Sequence, residues 1–277
     1  MSAWFTQGVR HWLLAVQFFT RIPITGRLAA WVGYSPAMLR ASVAHFPAMG
    51  LLAGAVAAGV FAATMGALSA TPHTPLVAAA LSTVATLLLT GGFHEDGLAD
   101  VVDGLGGSHQ RDRALEIMKD SRVGAFGAMA LVLVLLTKVA LLAALASLHL
   151  GAALGVMGLA HVVSRSWPLL TIRLLPHVGD AAGSKSKPLA DQISAPALRG
   201  GFLWLFGASA LYIYGFSATH LIVVAGMMAC STMGWVYMTR LLHRRLGGFT
   251  GDGLGATQQI TEVCGLLGAL AALGHLV

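Results

Sequence analysis

The sequence predicts an all-α fold: a polytopic helical membrane protein with about seven transmembrane helices and an N-terminal interfacial or re-entrant helix. Two observations lead to this prediction. Of the 277 residues, 56% are hydrophobic and 10% are charged, whereas a soluble domain averages about 45–50% apolar and about 25% charged residues. The apolar residues also form runs of about 20, which is the length that a helix needs to cross a bilayer. We therefore expect one integral membrane domain over residues 1–277.

The predicted spans are joined by two kinds of loop, which differ in charge. Loops without Lys or Arg alternate with four segments that hold most of the seventeen basic residues. By the positive-inside rule, these basic segments face the cytoplasm of a bacterial cell, and the protein lies in the inner membrane with its N-terminus inside. The net charge of +6 then reflects the orientation of the protein in the membrane. We therefore expect no nucleic-acid partner. The spans are 46–69, 75–92, 124–148, 151–171, 201–217, 219–241 and 258–277, the N-terminal stretch too short to cross is 8–21, and the basic segments are 1–45, 93–123, 172–200 and 242–257.

Acidic residues concentrate in one short segment of a chain that otherwise avoids charge. Residues 95–120 hold seven of the eleven Asp and Glu residues. If 95–104 is helical, Asp96, Asp100 and Asp103 project from one face, within about 60° of each other. Like charges at this spacing destabilise a helix, so a positive group must lie against them. Several carboxylates without Cys suit a hard ion such as Mg²⁺ or Mn²⁺. The alternative is a solvated acidic turn that nearby Arg and Lys neutralise.

The segment RDRALEIMKDSRVGAFG, residues 111–127, alternates basic and acidic residues before the third span. Its basic side chains suit phosphate oxygens. Asp120 is a further metal ligand or an orienting partner, whereas Asp112 and Glu116 are expected to pair with their basic neighbours. The candidate phosphate ligands are Arg113, Lys119 and Arg122.

The segment GGFTGDGLGATQQITE, residues 247–262, combines a glycine-rich stretch with a predicted helix start. Free backbone N–H groups at such a start bind anions, so Gly251 and Gly253 are candidate phosphate ligands. Asp252 is placed to join the carboxylate site; the alternative is a flexible turn with Asp252 as a helix cap. Together these groups favour metal-assisted phosphoryl transfer. The predicted cytoplasmic active-site segments are 93–123 and 242–257.

Charged residues inside predicted spans need partners, because an unpaired charge in the hydrocarbon region is costly. Arg165 and His161 lie one turn apart in the fourth span, and we expect them to face a polar cavity. Lys138 lies deeper in the third span, where we expect it to pair within the bundle. No function is assigned to it.

The same stretches resemble a known family. GGFHEDGLADVVDGLGG, IMKDSRVGAFG and GFTGDGLGATQQITE are similar to the three signature stretches of the cobalamin synthase family, the adenosylcobinamide-GDP ribazoletransferases. FFTRIPI, HFPAMGLLAG and SRSWPLL resemble shorter motifs of that family. The matches follow in order from residue 18 to residue 262, and their joint occurrence is specific.

The resemblance implies the step that completes the nucleotide loop of cobalamin. In this step the ribose 3′-hydroxyl of α-ribazole, or of its 5′-phosphate, attacks the cobinamide-side phosphorus of adenosylcobinamide-GDP. GMP leaves, and adenosylcobalamin or its 5′-phosphate forms. The family is membrane-bound and depends on Mg²⁺. The implied partners are therefore these substrates and membrane lipid, with a homo-oligomer or other cobalamin-assembly enzymes left open.

The resemblance also implies roles for single residues. At the catalytic centre, one of the carboxylates or His94 is expected to accept the proton of the attacking hydroxyl. The expected metal ligands are Asp96, Asp100, Asp103, Asp120, Asp252 and, ranked below the aspartates, Glu95. The expected ligands of the substrate phosphates are Lys119, Arg122, Arg113 and Arg21, with the backbone of Gly251 and Gly253.

Two other functions share some of these features. A CDP-alcohol phosphotransferase has a similar aspartate-rich helix, but the Arg of its D-G-x-x-A-R motif is missing after Asp96. An ion-coupled transporter places its carboxylates near the bilayer midplane, whereas these acids cluster at one membrane edge. Both alternatives therefore fit the sequence less well than the synthase.

Overall fold

The structure, a computed structural model, describes residues 3–178 and 193–276. Within these residues the regular structure is helical, and the one extended pairing is an isolated bridge between His177 and Phe249. The predicted all-α membrane fold class is confirmed. The α-helices are α1 (Ala3–Phe19), α2 (Gly26–Val32), α3 (Pro36–Ser42), α4 (Phe46–Ala67), α5 (Thr74–Thr90), α6 (Phe93–Gly107), α7 (Arg111–Met118), α8 (Ala125–Leu148), α9 (Leu150–Leu174), α10 (Ala195–Phe216), α11 (Leu221–Leu246) and α12 (Gly251–Leu273).

A helix occupies each of the seven predicted spans, namely α4, α5 and α8 to α12. By length and composition, three helical segments can cross a membrane on their own: Pro36–Ala67, Ala125–Leu148 and Ala218–Leu246. The helices α5 and α6 are long and apolar enough only together, and they bend by 91° where they join. The count of seven crossings therefore stays a prediction. Of the predicted basic segment 172–200, residues 179–192 lie outside the described part of the chain.

Large apolar side chains cover the outside of the long helices. On α8, Val132, Leu133 and Leu136 are between 57 and 65% exposed, whereas Lys138 on the same helix is 3% exposed. A soluble bundle would turn the lysine outward and the leucines inward. This arrangement is instead typical of a helix that faces lipid on one side and a polar bundle interior on the other.

The N-terminal helix α1 lies beside the bundle, against α3 and the start of α4. It buries an apolar face that includes Val16 and Phe19. The chain after it is fixed to the end of α5, because the N–H of Arg21 donates to the carbonyl of Leu89 at 2.7 Å. The predicted N-terminal helix is thus confirmed, and its place at the membrane interface stays a prediction.

Two consecutive glycines make the sharp turn between α5 and α6. Gly91 and Gly92 both have φ of +70°, in the left-handed region, which costs about 1–2 kcal/mol for a residue with a Cβ. Gly91 ends α5 as its C-cap, and α6 leaves at 91°. The turn therefore directs α6 at nearly a right angle to α5, and α6 packs against α12 and α8.

We predict that Gly92→Ala lowers the free energy of unfolding by about 1–2 kcal/mol, because alanine must adopt the left-handed conformation. The space around Gly92 is open, so the loss reports the backbone alone. Gly91→Ala should destabilise the protein further, since its Cβ would also meet the side chain of Arg21. The measurement is thermal unfolding of the purified protein in detergent.

The matched control is Gly59→Ala in the middle of α4, where the space is also open and the backbone is helical. This change should leave stability equal or raise it by up to about 1 kcal/mol. Equal melting temperatures for the Gly59 and Gly92 variants would show that the bend does not need glycine.

Candidate active site

The helix α6 carries the predicted stripe of carboxylates, and it is helical over Phe93–Gly107, as the spacing requires. Exposure falls along the stripe: Asp96 is exposed, Asp100 is half-buried and Asp103 is buried. The first turn of α8 covers the last of the three and leaves the first uncovered. The three residues therefore share a face of the helix but not an environment.

Asp103 binds the start of α8. Its Oδ2 accepts the N–H of Gly124 at 2.7 Å, and its Oδ1 accepts the N–H of Gly127 at 2.8 Å. These N–H groups have no partner within the helix, so the carboxylate caps α8 and complements its dipole. The contacts of Asp103 do not support its predicted role as a metal ligand. They hold the end of the loop 119–124 against α6.

The first turn of α12 lies directly against α6. A Cβ added at Gly97 would lie 2.8 Å from the carbonyl oxygen of Asp252 and 3.0 Å from its Cα, so the approach requires glycine. Thr250 caps α12, because its Oγ1 accepts the N–H of Gly253 at 3.0 Å. The alternative in which Asp252 is the cap is therefore wrong. The N–H of Gly253 is already used, which argues against its predicted role in phosphate binding.

Asp96, Asp100 and Asp252 form one acidic group, shared by α6 and α12 outside the spans. Burial, together with the charges of Asp252 and Asp96, raises the pKa of Asp100 to about 7. Burial and the charge of Asp96 raise the pKa of Asp252 to about 6. The carboxylates thus repel each other, and a bound cation would relieve this repulsion.

The acidic group fits a hard metal ion in its chemistry, because carboxylate oxygens are the ligands that Mg²⁺ prefers. Its side chains do not yet form a closed ligand shell. Across residues 3–178 and 193–276, no three His, Cys, Asp or Glu side chains are arranged to hold a metal ion. The ligands would therefore have to close around the ion as it binds.

Asp120 is paired with Arg122 on the exposed loop between α7 and α8. The guanidinium binds both carboxylate oxygens, with the shortest contact at 2.6 Å. These hydrogen bonds lower the pKa of Asp120 to about 2. Of its two predicted roles, the contacts of Asp120 support the orienting partner and not the metal ligand. The predicted local pairs of α7 are confirmed, with Arg111 and Asp112 at 3.1 Å and Arg113 and Glu116 at 2.8 Å.

Arg21 and Lys119 lie on the exposed surface around α6. The guanidinium of Arg21 lies against Gly91, at the bend that begins α6. Lys119 is the residue that ends α7 and begins the loop to α8. Both side chains are exposed. Their roles in phosphate binding stay predictions, as does that of Arg113.

A network of buried charges lies behind the acidic group, inside the bundle. Lys138 Nζ is 2.5 Å from Glu262, and both side chains are at most 3% exposed. The other carboxylate oxygen of Glu262 accepts a hydrogen bond from Gln258 and lies 3.4 Å from His161 Nδ1. Arg165 binds the same His161 nitrogen at 3.1 Å. The predictions that Lys138 pairs within the bundle and that Arg165 and His161 face a polar interior are confirmed.

Glu95 links this network to α6. Its Oε1 accepts a hydrogen bond from Gln259 Nε2 at 2.9 Å, and Arg165 lies in the field of both Glu95 and Glu262. Among the described residues of the network, Lys138 and Arg165 balance the two glutamates. Glu95 is 9% exposed and engaged inside the bundle, so its contacts do not support the predicted role as a metal ligand.

Three residues of the network received no role from the sequence: Gln258, Gln259 and Glu262. They lie in the same sequence stretch as Asp252, residues 247–262. Polar residues are common near the start of a helix, so these three did not stand out. The signal that identifies them is Glu262 itself, an acid inside a predicted span that needs a cation. Lys138 is the one lysine inside a predicted span. The sequence alone could therefore have paired Lys138 with Glu262.

The far end of α6 is fixed to α11, which the sequence also did not predict. Arg245 on α11 donates to the carbonyls of Leu105 and Ser108, at 3.0 and 2.7 Å. Arg111 donates in return to the carbonyl of Leu246 at 2.7 Å. Cations at these helix ends satisfy carbonyls that have no partner within the helix.

An aromatic cleft opens beside the acidic group. The rings of Phe19 and Phe46 stack at 4.4 Å, and those of Phe46 and His94 at 5.7 Å. His94 is buried, and its Nε2 has no hydrogen-bond partner among the described residues. Burial lowers the pKa of His94, so its ring is neutral. The rings that line the aromatic cleft are those of Phe18, Phe19, Phe46, Phe93, His94, His177 and Phe249, and Gly251 lies beside them.

Comparison with known proteins places this site in a family. Residues 11–270 match the family model described as cobalamin-5-phosphate synthase. The chain belongs to this family. Relatives named adenosylcobinamide-GDP ribazoletransferase, from Albidiferax ferrireducens and Polaromonas naphthalenivorans, are each 58% identical, with 97% and 96% of this chain and 100% and 99% of the relatives covered. A relative of the same name from Vibrio cholerae is 41% identical, with 99% of this chain and 98% of the relative covered. No solved structure matches the chain.

Membership of the cobalamin-5-phosphate synthase family confirms the resemblance that the sequence motifs indicate. The matched region runs from within α1 to within α12, so it includes both helices of the acidic group. It also includes the buried network and the aromatic cleft. These features therefore all belong to the part of the chain that defines the family.

We predict that Lys138→Met lowers the free energy of unfolding by about 3–5 kcal/mol, because it leaves Glu262 as an uncompensated buried charge. The double variant Lys138→Met/Glu262→Gln should regain a large part of this loss, since neither charge remains. The measurement is thermal unfolding of purified protein in detergent.

The control for this pair is Leu136→Met, two residues away on the lipid-facing side of α8 and 62% exposed. It should change stability by less than about 0.5 kcal/mol. If the double variant is no more stable than Lys138→Met alone, the lysine and the glutamate do not act as a pair.

Proposed function

We propose that this member of the cobalamin-5-phosphate synthase family transfers the cobinamide phosphate of adenosylcobinamide-GDP to α-ribazole or to its 5′-phosphate. The ribose 3′-hydroxyl oxygen forms a bond to the cobinamide-side phosphorus, and the bond from that phosphorus to the GMP oxygen breaks. The hydroxyl proton passes to a base of the protein. GMP leaves, and adenosylcobalamin or its 5′-phosphate is the product. The names of the relatives support these substrates.

The observation that carries the proposal is the acidic group of Asp96, Asp100 and Asp252. Phosphoryl transfer depends on positioning and on neutralising the charge of the phosphate oxygens. A pyrophosphate brought to this group adds negative charge to carboxylates that already repel each other. A cation must therefore accompany the substrate, and this requirement favours metal-dependent transfer.

The residues that would hold Mg²⁺ are the three members of the acidic group. Bound there, the ion would supply charge neutralisation at the phosphate oxygens. Asp96 is exposed and has room to turn toward Asp252. Asp103 and Glu95 keep α6 in place from its two buried sides while the ligands close, because their own oxygens bind α8 and α12.

The loop between α7 and α8 supplies cationic groups for the substrate phosphates. Lys119 and Arg122 are exposed at this end of the bundle. Asp120 orients the guanidinium of Arg122, and Asp103 fixes the end of the loop. A charged donor of this kind binds phosphate strongly. Further donors are Arg21, Arg113 and the N–H of Gly251.

The proton of the attacking hydroxyl goes to a carboxylate of the acidic group or to His94. His94 and Asp252 both lie where α6 meets α12. A general base must come within hydrogen-bond reach of the hydroxyl that it deprotonates.

We infer that the reaction takes place at the cytoplasmic face of a bacterial inner membrane. The acidic group lies within two of the basic segments of the sequence, 93–123 and 242–257, and the positive-inside rule favours a cytoplasmic position for such segments. Membrane lipid surrounds the apolar outer faces of the helices. The segments 93–123 and 242–257 supply the site, and association as a homo-oligomer or with other cobalamin-assembly enzymes stays open.

The test is turnover by the purified full-length protein in lipid vesicles, supplied with adenosylcobinamide-GDP and α-ribazole. We predict equimolar GMP and corrinoid product with Mg²⁺, loss of product with EDTA, and recovery when Mg²⁺ is added in excess. Product formation that EDTA does not change would keep the transfer and remove the metal from it. The absence of product from folded protein with either acceptor would overturn the proposed function.

The matched variants in this assay are Asp252→Asn and Asp112→Asn. The first should lower kcat by about a thousandfold, because charge stabilisation by a metal contributes several kcal/mol to the barrier. The second makes the same change on the exposed face of α7, where the Asp112 side chain is 89% exposed, and should keep wild-type turnover. Near-normal kcat for Asp252→Asn would exclude this residue from the site.

A further inference from the structure

We propose that the aromatic cleft binds the dimethylbenzimidazole base of α-ribazole and that His94 Nε2 donates a hydrogen bond to the free nitrogen of that ring. The inference rests on the proposed function, which supplies an acceptor nucleoside with an aromatic base. It assigns an orienting role to His94 and leaves proton transfer to the carboxylates of the acidic group.

The cleft lies where the base of the acceptor must lie if its ribose is to react. On α6, Phe93 and His94 line the cleft, and Asp96 follows them by less than one turn. On α12, Gly251 lines the cleft and Asp252 follows it directly. A nucleoside with its base in the cleft could therefore extend its sugar past Gly251 toward Asp252 of the acidic group.

The walls of the cleft suit a flat ring. Phe19 and Phe46 stack with 29° between their planes, and Phe46 and His94 with 17°. Phe46 thus stacks on both Phe19 and His94, and Phe249 adds a fully buried ring to the lining. Aromatic rings favour offset-stacked or edge-to-face contacts with another ring. A planar aromatic base is the ligand that makes such contacts with all of them.

One polar atom in these apolar walls lacks a partner. His94 is 2% exposed, and its Nε2 has no hydrogen-bond partner within the described residues. A buried polar atom without a partner is unfavourable, so a ligand that pairs with it gains affinity. Once a dimethylbenzimidazole is joined to ribose through one ring nitrogen, it has one remaining acceptor nitrogen and two methyl groups. The unpartnered Nε2 of His94, in a wall made mostly of apolar rings, matches the one acceptor on this otherwise apolar base.

The other planar base in the reaction, the guanine of GDP, matches the cleft less well. Its edges carry a carbonyl, an amino group and ring nitrogens, which all need partners when they leave water. Phenylalanine rings cannot supply them. A cleft lined mostly by apolar rings therefore favours the benzimidazole over guanine.

The test measures binding of two small rings by equilibrium dialysis against full-length protein in detergent. One is N-methyl-dimethylbenzimidazole, in which a methyl group replaces the ribose. The other is the corresponding N-methyl-dimethylindole, in which carbon replaces the free ring nitrogen. Wild-type protein is expected to bind the benzimidazole about tenfold more tightly than the indole, the factor that one hydrogen bond supplies.

Two substitutions at His94 separate the hydrogen bond from the stacking. His94→Phe keeps an aromatic ring without a donor and should bind both compounds equally, with the affinity of the indole. His94→Gln places an amide N–H near the position of Nε2 and should regain part of the preference. In turnover, His94→Phe should raise KM for α-ribazole about tenfold and leave KM for adenosylcobinamide-GDP unchanged.

The control is His220→Phe, at the far end of the bundle. His220 also stacks on a phenylalanine, Phe216, at 5.1 Å and hydrogen-bonds Tyr212 at 3.0 Å. This variant should keep the tenfold preference. Phe46→Leu is a second variant that leaves the donor in place. It should weaken both compounds by the same factor and keep the preference between them, so the proposal stays testable if His94 variants do not fold.

Three outcomes would overturn the proposal. These are equal binding of the two rings by wild-type protein, a preference that survives His94→Phe, and competition for the cleft by GMP but not by α-ribazole. The last would place guanine in the cleft. Ring binding needs no turnover, so the cleft assignment can fail while the transfer assay succeeds, and the transfer assay can fail while the rings bind as expected.

Discussion

The site depends on the close contact between α6 and α12. At its centre, backbone meets backbone: Gly97 lies against Asp252, and a Cβ at Gly255 would lie 3.2 Å from the carbonyl oxygen of His94. Because no side chain separates the two helices, carboxylates that are far apart in the sequence come into one acidic group. The same contact forms one edge of the aromatic cleft. Metal binding, phosphate chemistry and base recognition would therefore all follow from two glycines.

Polar interactions on either side hold this contact in one register. Inside the bundle, Gln259 of α12 binds Glu95 of α6, and the pair of Lys138 and Glu262 fixes α12 to α8. At the outer end, Arg245 binds the last carbonyls of α6. Apolar packing alone would let the helices slide along each other, whereas hydrogen bonds with a defined direction do not. The buried charges thus connect the stability of the bundle to the geometry of the acidic group.

The sequence could predict what depends on composition and on spacing within one helix. The membrane class, the helices and the common face of Asp96 and Asp100 are of this kind. It could not predict that Asp103 caps α8, because the N–H groups that it binds reach it only when the chain folds back after α7. It could not choose between Thr250 and Asp252 as the cap of α12, since both residue types cap helices well. Such choices depend on tertiary contacts that adjacent residues do not encode.

The most direct test is Mn²⁺ binding, measured by EPR, to the wild-type protein and to Gly97→Ala. Mn²⁺ serves as the probe because it prefers the same oxygen ligands as Mg²⁺. The variant keeps every carboxylate and adds one methyl group where α6 meets the backbone of Asp252. We predict that the wild-type protein binds the ion and that folded Gly97→Ala binds it at least about tenfold more weakly, since a displaced helix separates the ligands. Equal affinity of the two proteins would show that the contact between the helices does not assemble the site.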